Sequence, residues 1–454
     1  MRKIVIVGAG QSGLQLGIGL VDRGYDVTLV TNRTGEDIRA GRVMSSQCMM
    51  GSAVARERAL GLNLWDEECP AVEGIGFTLA DGGDPALSWS SRLELPGQSV
   101  DQRVKFPRWM AEFADRGGKL VHHEAGVADL EEYAMEADLV IVAAGKGEIA
   151  GLFERDEARS EFSAPQRALA LTYVTGMTPR PAHTAVDFNL IPGVGEYFVF
   201  PALTTTGPCD IMVFEGVPGG PMDCWRDVAD PDQHLERSVA VLREFVPWEA
   251  ERRRSLALTD PNGVLAGRFP PVVRKPVATL PSGMPVLGLA DVVVLNDPIT
   301  GQGSNNASRC AASYLISILE HGDRPFTARF MRDTFERYWA FAQYVTRWTN
   351  ALLQPEKPGH VVDVLTADQH HLSSQFATPA ENKFDGVPIT DGLAGLPIVA
   401  GALAVFQCRL VRRVDAGDHV ILLGEIEEYS TATGQPLVFH SGAYHVAARH
   451  PHLA

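Results

Sequence analysis

Val5-Ile6-Val7-Gly8-Ala9-Gly10-Gln11-Ser12-Gly13, close to the amino terminus, is an apolar run closed by a Gly-x-Gly-x-x-Gly turn. Ile4 to Val7 reads as a buried parallel strand, Leu14 to Val21 as a helix and Asp26 to Thr31 as the next strand, so the chain opens with a βαβ unit. In that setting Gly8, Gly10 and Gly13 allow amide N–H groups at the helix start to approach a pyrophosphate. A glycine-rich turn without a ligand is the bland alternative, and the flanking strand and helix argue against it.

A second stretch lies far along the chain: Val286-Leu287-Gly288-Leu289-Ala290-Asp291, continuing through Pro298-Ile299-Thr300-Gly301-Gln302-Gly303-Ser304-Asn305-Asn306. Its pattern predicts a strand ending at Asp291, a Pro-Gly loop and a helix from about Ser304. An aspartate there can accept from ribityl hydroxyls, while the helix start offers amides and a positive dipole end to the N1/C2=O edge of a flavin, which becomes negative on reduction. Together the two stretches point to FAD, with Asp291 as an ordinary strand-end acid being the competing reading. Pro298, Gly301, Gly303, Ser304 and Asn305 join Asp291 as candidate cofactor contacts.

With 454 residues and 45% hydrophobic content, the chain can bury a large core and is expected to hold two or three domains. A formal charge of −16 argues against a nucleic-acid or anionic-membrane surface; the short Arg252-Arg253-Arg254 run reads as a solvated helix face. No charged leader and no membrane-length apolar run is visible, so a cytoplasmic location is expected. Cys48, Cys69, Cys209, Cys224, Cys310 and Cys408 are scattered without a Cys-x-x-Cys pair and read as reduced thiols, with no metal site.

Leu139 to Ala144 is another apolar strand, followed by Gly145-Lys146-Gly147. Between Gln166 and Val217, runs rich in Thr, Tyr and Phe predict an antiparallel sheet on the substrate side, with Tyr197, Phe198, Phe200 and Phe214 either lining a cavity or packing the core. Gln233 to Phe245 and Arg324 to Leu353 read as helices. Gln354-Pro355-Glu356-Lys357-Pro358-Gly359 is a candidate linker, and the tail beyond it alternates like strands, with a turn at Asp415-Ala416-Gly417-Asp418. The expected organisation is a discontinuous FAD-binding domain at 1–165 and 280–320, a substrate sheet at 166–279, closing helices at 321–354 and a mostly β segment at 355–454.

On the amino-terminal fingerprint, Gly145-Lys146, Phe162-Ser163-Ala164-Pro165-Gln166-Arg167-Ala168, Asp291 to Asn306 and Thr346-Arg347-Trp348-Thr349-Asn350, residues 1 to about 353 resemble the epoxidase component of styrene and indole monooxygenases. The Asp-Gly motif by which single-component aromatic hydroxylases serve both FAD and nicotinamide is replaced by Ala143-Ala144-Gly145-Lys146-Gly147, so electrons are expected from elsewhere. The tail resembles the carboxy-terminal part of short-chain flavin reductases through Val361 to Leu365 with Gln369, Phe376-Ala377, Lys383-Phe384, Gly395-Leu396-Pro397, Gly417-Asp418-His419 and Gly424-Glu425. The resemblance therefore implies an α/β fold with a Rossmann-type FAD domain, an aromatic-hydroxylase-like antiparallel substrate domain and a partial split barrel. In whole reductases a histidine in the motif of His419 lies near the flavin and nicotinamide; with the amino-terminal half of the reductase not visible here, a structural or vestigial role is the favoured of the two readings.

It further implies reduced FAD supplied by an NADH:flavin reductase, dioxygen as co-substrate, a C4a-hydroperoxide and oxygen transfer to an aromatic alkene such as styrene or indole, with no side-chain nucleophile. Two departures bear on the site. Thr31-Asn32-Arg33 ends the second strand where a carboxylate ordinarily holds the ribose; Asn32 loses the charge-assisted contact, so FAD is expected to bind weakly and exchange. After Arg42, also assigned to the cofactor, Ser45-Ser46-Gln47-Cys48-Met49-Met50 replaces the Asn-Thr pair and nearby histidine of styrene epoxidases. Ser46 and Gln47 are the candidates for bonding the peroxide or flavin, and Met49, Tyr197, Phe200 and Phe214 for the substrate pocket. A halogenase-like enzyme lacks support because no Trp-x-Trp-x-Ile-Pro occurs; a non-catalytic flavin-binding or docking module and a homodimer stay open.

Overall fold

The structure is a computed structural model that describes residues 1–81, 83–145, 147–180, 182–354, 360–378, 383–416, 419–440 and 443–446. The chain divides into two units, Met1–Leu353 and Gln354–Ala454.

In the first unit, Lys3–Val7 lies at the centre of a six-stranded sheet because Ile4 to Val7 are apolar at every position and buried on both faces. The order across this sheet is Val277–Thr279, Pro285–Gly288, Leu139–Val142, Lys3–Val7, Asp26–Thr31, Lys119–His122, parallel except for the first pair. Helices Gln11–Val21, Gln102–Asp115 and Gly303–His321 pack around it in one apolar core.

The second sheet has eight strands in the order Arg253–Leu258, Ala168–Met177, Gly207–Gly216, Gly195–Thr204, Ala185–Ile191, Ala71–Asp81, Asp84–Gln98, with Val264–Gly267 also pairing Ala168–Met177. It draws in the hairpin 71–98 from the amino-terminal segment, through a parallel pairing of Ala71–Asp81 with Ala185–Ile191. The sheet is thus larger than the expected 166–279. The Arg252-Arg253-Arg254 run does not lie on a helix face: it leads into the Arg253–Leu258 strand, and Arg252 Nη1 donates to Glu249 at 2.7 Å. Helix Pro231–Phe245 covers one side of this sheet through Val241 and Leu242, and Ala328–Leu353 closes the unit.

The second unit is built on an antiparallel sheet of His360–Val364, Ala404–Ala416 and His419–Thr431. Two short hairpins and helix His370–Ala377 accompany it around a small core of Leu372, Val387 and Val399. Ile421, Leu422, Ile426 and Tyr429 on its edge strand remain exposed. Gly417 and Asp418, Lys146 and the 355–359 part of the expected linker, and the side chain of His419, lie outside the described residues.

Candidate functional site

Four chain segments leave the parallel sheet at its carboxyl edge, held side by side by ladder bonds that run past the strands: Gly8 N–H to Val30 O, Ala143 N–H to Val7 O and Leu289 N–H to Val142 O, each 2.8 Å. At this edge the three fingerprint glycines have separate jobs. Gly8 has φ +122°, and a Cβ there would lie 2.7 Å from the Ala143 and Ala144 backbone. A Cβ on Gly13 would come within 2.0 Å of the Gly8 carbonyl oxygen. A Cβ on Gly10 would meet nothing within 4 Å, so the backbone faces open space directly before the Gln11–Val21 helix, whose start has no side-chain cap. Uncapped amides, a positive dipole end and a cradle without Cβ atoms fit a dinucleotide pyrophosphate.

The floor beneath this turn is charged and dry. Gln11 Nε2 donates to Glu57 Oε1 at 3.0 Å, and Lys105 Nζ reaches both Glu57 oxygens at 2.8 and 3.0 Å, with Glu57 and Lys105 each 1% exposed. None of these three was singled out in the sequence; their pairing is long-range and has no local signature. Asn32 and Arg42 are both exposed, Asn32 immediately after the Asp26–Thr31 strand and Arg42 in the loop before Val43.

Asp291 lies inside a short 3-10 turn, Ala290–Val292, after the strand Pro285–Gly288 rather than at its last residue. Ala290, the first residue of that turn, carries φ +53°, an uncommon conformation for a non-glycine residue. A Cβ on Gly145 would lie 3.5 Å from Asp291 Cβ, so Asp291 stands beside the exit of the Leu139–Val142 strand, next to the fingerprint. Half-buried Pro298 starts the turn, Gly301 occupies the left-handed region at φ +62°, and helix Gly303–His321 begins directly after Gln302, with Ser304 half-buried in its first turn.

Asn305 links this turn to the loop that carries Ser46 and Gln47. Its Nδ2 donates to Gly301 O at 3.0 Å and to Cys48 O at 2.9 Å, and its Oδ1 accepts from Met50 N–H at 2.8 Å. Asn305 therefore shapes the candidate cofactor site from within, its amide being engaged by protein groups. Gln47 is likewise committed: Nε2 donates to Val100 O at 2.6 Å, Oε1 accepts from Ser45 Oγ at 3.1 Å, and the side chain is 4% exposed. Ser46 beside it is half-buried. Burial foremost, with the neighbouring Cys69 adding to it, pushes the Cys48 thiol up to about 12, so it stays protonated and is no nucleophile.

Met49, Tyr197, Phe200 and Phe214 do not converge on one cavity. Tyr197 and Phe214 are registered partners with ring centres 5.0 Å apart, on the side covered by helix Pro231–Phe245 along with Trp225. Phe200 points to the opposite side, among Val43, Cys48, Phe198 and Ile211, and Met49 packs with Ala53 and Val54. For Tyr197 and Phe200 the reason is parity, since positions separated by an odd number in a strand face opposite ways. On the Phe200 side a row of rings crosses the strands, with Phe77 and Phe188 at 6.0 Å, Phe188 and Phe198 at 5.7 Å and Phe198 and Phe200 at 6.5 Å. Tyr173 Oη donates to Ser45 O at 2.7 Å and so ties this face to the Ser45–Met50 loop.

Fold and glycine cradle together define a Rossmann-type flavoprotein with a second, mostly antiparallel sheet beside the cofactor site. Residues 145–252 match the family described as "Styrene monooxygenase A putative substrate binding domain", and residues 350–448 match "Flavin reductase like domain". Styrene monooxygenase StyA of Pseudomonas fluorescens is 32% identical over 358 residues, 78% of this chain and 85% of that protein. The FMN reductase (NADH) SmoA of Agrobacterium fabrum is 40% identical over 83 residues, 18% of this chain and 47% of the reductase. The flavin-dependent halogenase CmlS superposes with a TM-score of 0.58 at 14% identity, covering 85% of this chain and 67% of its own. PqsL of P. aeruginosa, in complex with 2-aminobenzoylacetate, does so with 0.53 at 16%, covering 78% and 95%. At those identities the likeness is one of fold.

The chain belongs to the styrene monooxygenase family. It is a two-component flavin-dependent monooxygenase that uses FAD, supplied reduced by a flavin reductase, with dioxygen as co-substrate. Its tail is flavin-reductase-like and spans about half the length of the curated reductases it matches. Among the described residues, no helix is long and apolar enough to cross a membrane.

Proposed function

We propose that the chain transfers one oxygen atom of dioxygen to the C=C bond of a small aromatic alkene, with styrene and indole as the first candidates. Bound reduced FAD supplies the two electrons by which one oxygen atom reaches the alkene and the other leaves as water. The residues of the chain supply binding, orientation and dryness. The Gly8–Gly13 backbone takes the pyrophosphate, Asn32 the ribose and Asp291 the ribityl chain, with Arg42 at the entrance. The Pro298–Gly303 turn and the helix start at Ser304 face the ring edge that gains negative charge. Gln47 holds the loop through Val100 and Ser45, and Ser46, half-buried beside it, is the loop hydroxyl assigned to bond the flavin or oxygen. The Phe77, Phe188, Phe198 and Phe200 row is the wall against which an aromatic ring stacks.

The observation that carries this reading is the Asn305 clasp, which joins the candidate flavin turn to the Ser45–Met50 loop, itself bonded to the aromatic face through Tyr173. The test is turnover of styrene and indole by the purified chain with FAD, NADH and dioxygen, with catalase present, with and without a separate flavin reductase. Styrene oxide or indigo formed only with added reductase is the expected result. Product without it means that the tail, or another site in the chain, delivers reduced flavin, and no product in either case removes these substrates.

The second reading is a flavin-binding module whose tail docks a complete reductase. It is favoured by the exposed Ile421, Leu422, Ile426 and Tyr429 and by the tail's half length. Tight FAD binding without any oxygenated product supports it. A homodimer paired through the same edge strand would show as a concentration-dependent mass.

A further inference from the structure

Directly under the candidate flavin turn lies a buried acidic cluster that the proposed oxygen transfer does not use. Glu196 and Glu215 face each other across adjacent strands of the large sheet, and Asp297 immediately precedes Pro298. Glu215 is 0%, Asp297 1% and Glu196 3% exposed. The cation among them is Arg167, whose Nε and Nη2 hold the two Glu196 oxygens at 2.7 and 2.9 Å and whose charge also acts on Glu215 and Asp297. Its fork is thus used on Glu196, and its remaining contacts are the carbonyls of Gln166 and Leu352. Three carboxyls facing one guanidinium in a site closed to water cannot all ionise.

The geometry tells which of them keeps a proton. Among the described residues neither Glu215 oxygen meets an N–H or hydroxyl donor; what Glu215 meets is the carboxyl of Asp297. Two carboxylates in contact repel, whereas a carboxylic acid and a carboxylate share a strong hydrogen bond. Asp297 Oδ1 accepts from Ile299 N–H at 3.1 Å, which caps the Pro298–Thr300 turn and favours the ionised form of Asp297, whereas neither Glu215 oxygen meets a donor among the described residues; Asp297 is therefore the acceptor and Glu215 the donor. Burial, followed by the charges of Asp297 and Glu196, holds Glu215 well above the usual carboxylate range; burial raises Asp297 too, but there the bonds from Glu215 and Ile299 and the charge of Arg167 work against it.

We propose that Glu215 and Asp297 form a proton-sharing carboxyl pair that fixes the 297–303 turn in its flavin-binding shape, Glu215 acting as a positioning residue that grips the turn only while it keeps its proton. The inference rests on the reading that this turn meets the flavin. Ionisation of Glu215 turns the bond into a repulsion between Asp297 and Glu215, with Glu196 adding to it and the Glu196-bound Arg167 offsetting part, and the cap on Ile299 loosens.

The experiment is the anaerobic dissociation constant of reduced FAD for the full chain and for Glu215→Gln between about pH 6 and about pH 10. In the wild type the constant is flat at low pH and then rises by up to about tenfold per pH unit above the pair's pKa. In E215Q, whose amide N–H donates to Asp297 at every pH, the low-pH value is retained and that rise is absent, the flavin's own titration being common to both proteins. Coincident profiles overturn the inference while leaving the flavin site intact; failure of the wild type to bind reduced FAD at any pH overturns both. A readout independent of flavin is the infrared carbonyl band of a protonated carboxylic acid in the wild type at about pH 8, where most carboxyls are ionised. The band is expected there and missing in E215Q; its absence from the wild type overturns the pair.

Discussion

At the scale of single residues, the site is decided by a few atoms that tolerate no addition. A methyl group at Gly13 meets the Gly8 carbonyl at 2.0 Å, backbone against backbone. Gly13→Ala is therefore expected to cost about 1–3 kcal/mol or more and to abolish FAD binding, read by thermal unfolding and flavin fluorescence; unaltered affinity sinks the cradle. Asn305→Ala strands the Met50 N–H and two carbonyls, at about 1–3 kcal/mol, and is expected to weaken FAD binding at the same time, because the loop and the turn separate. The pH dependence of stability has a residue-scale source as well. His234 is 2% exposed, and burial pushes its pKa down to about 4, against a bond to Leu171. A histidine lowered in the folded state stabilises fully above its ordinary pKa, and that contribution is lost as pH falls from about 6.5 toward 4, at up to about 1.4 kcal/mol per unit. Asp187 and Asp210, raised to about 6 mainly by burial, act with the opposite sign in the same range. Denaturant unfolding at about pH 7 and about pH 5 should show a smaller acid loss in His234→Gln than in the wild type; equal losses refute the assignment.

Elements bring these residues together by pairings of very different range. Strand Lys3–Val7 and helix Gln11–Val21 are legible from periodicity alone, since neighbouring residues decide both. The hairpin 71–98 is not: what places it in the large sheet is a parallel pairing with Ala185–Ile191 that no local pattern signals. Strand parity, by contrast, was present in the sequence. Tyr197 and Phe200 stand an odd number of positions apart, so the single cavity expected around Tyr197, Phe200 and Phe214 is two opposite faces. Phe198→Ala, on the candidate substrate face, is expected to raise KM for an aromatic alkene more than Tyr197→Phe, on the helix-covered face, does; the reverse ordering removes the wall. Beneath the fingerprint helix, Lys105→Met leaves Glu57 buried without its cation, which costs about 3–5 kcal/mol in denaturant unfolding. Adding Glu57→Gln recovers part of that loss if the cost lies in the unpaired charge.

At the scale of the whole molecule, the monooxygenase part carries its own cores, and the unit boundary falls between Leu353 and Gln354. Residues 1–353 alone are therefore expected to keep oxygenation when a separate flavin reductase is supplied; loss of product with retained folding would make the tail part of the oxygenase. The sequence by itself determined the βαβ opening, the second flavin segment, the strand-rich tail and the family resemblance, because each is written in residues close together in the chain. What only the tertiary structure decided are the Asn305 clasp, the Lys105–Glu57–Gln11 floor and the burial of Glu215 across from Glu196. These join residues far apart in the chain, and a buried polar group finds its partner by the packing of whole elements rather than by any signal in its own neighbourhood.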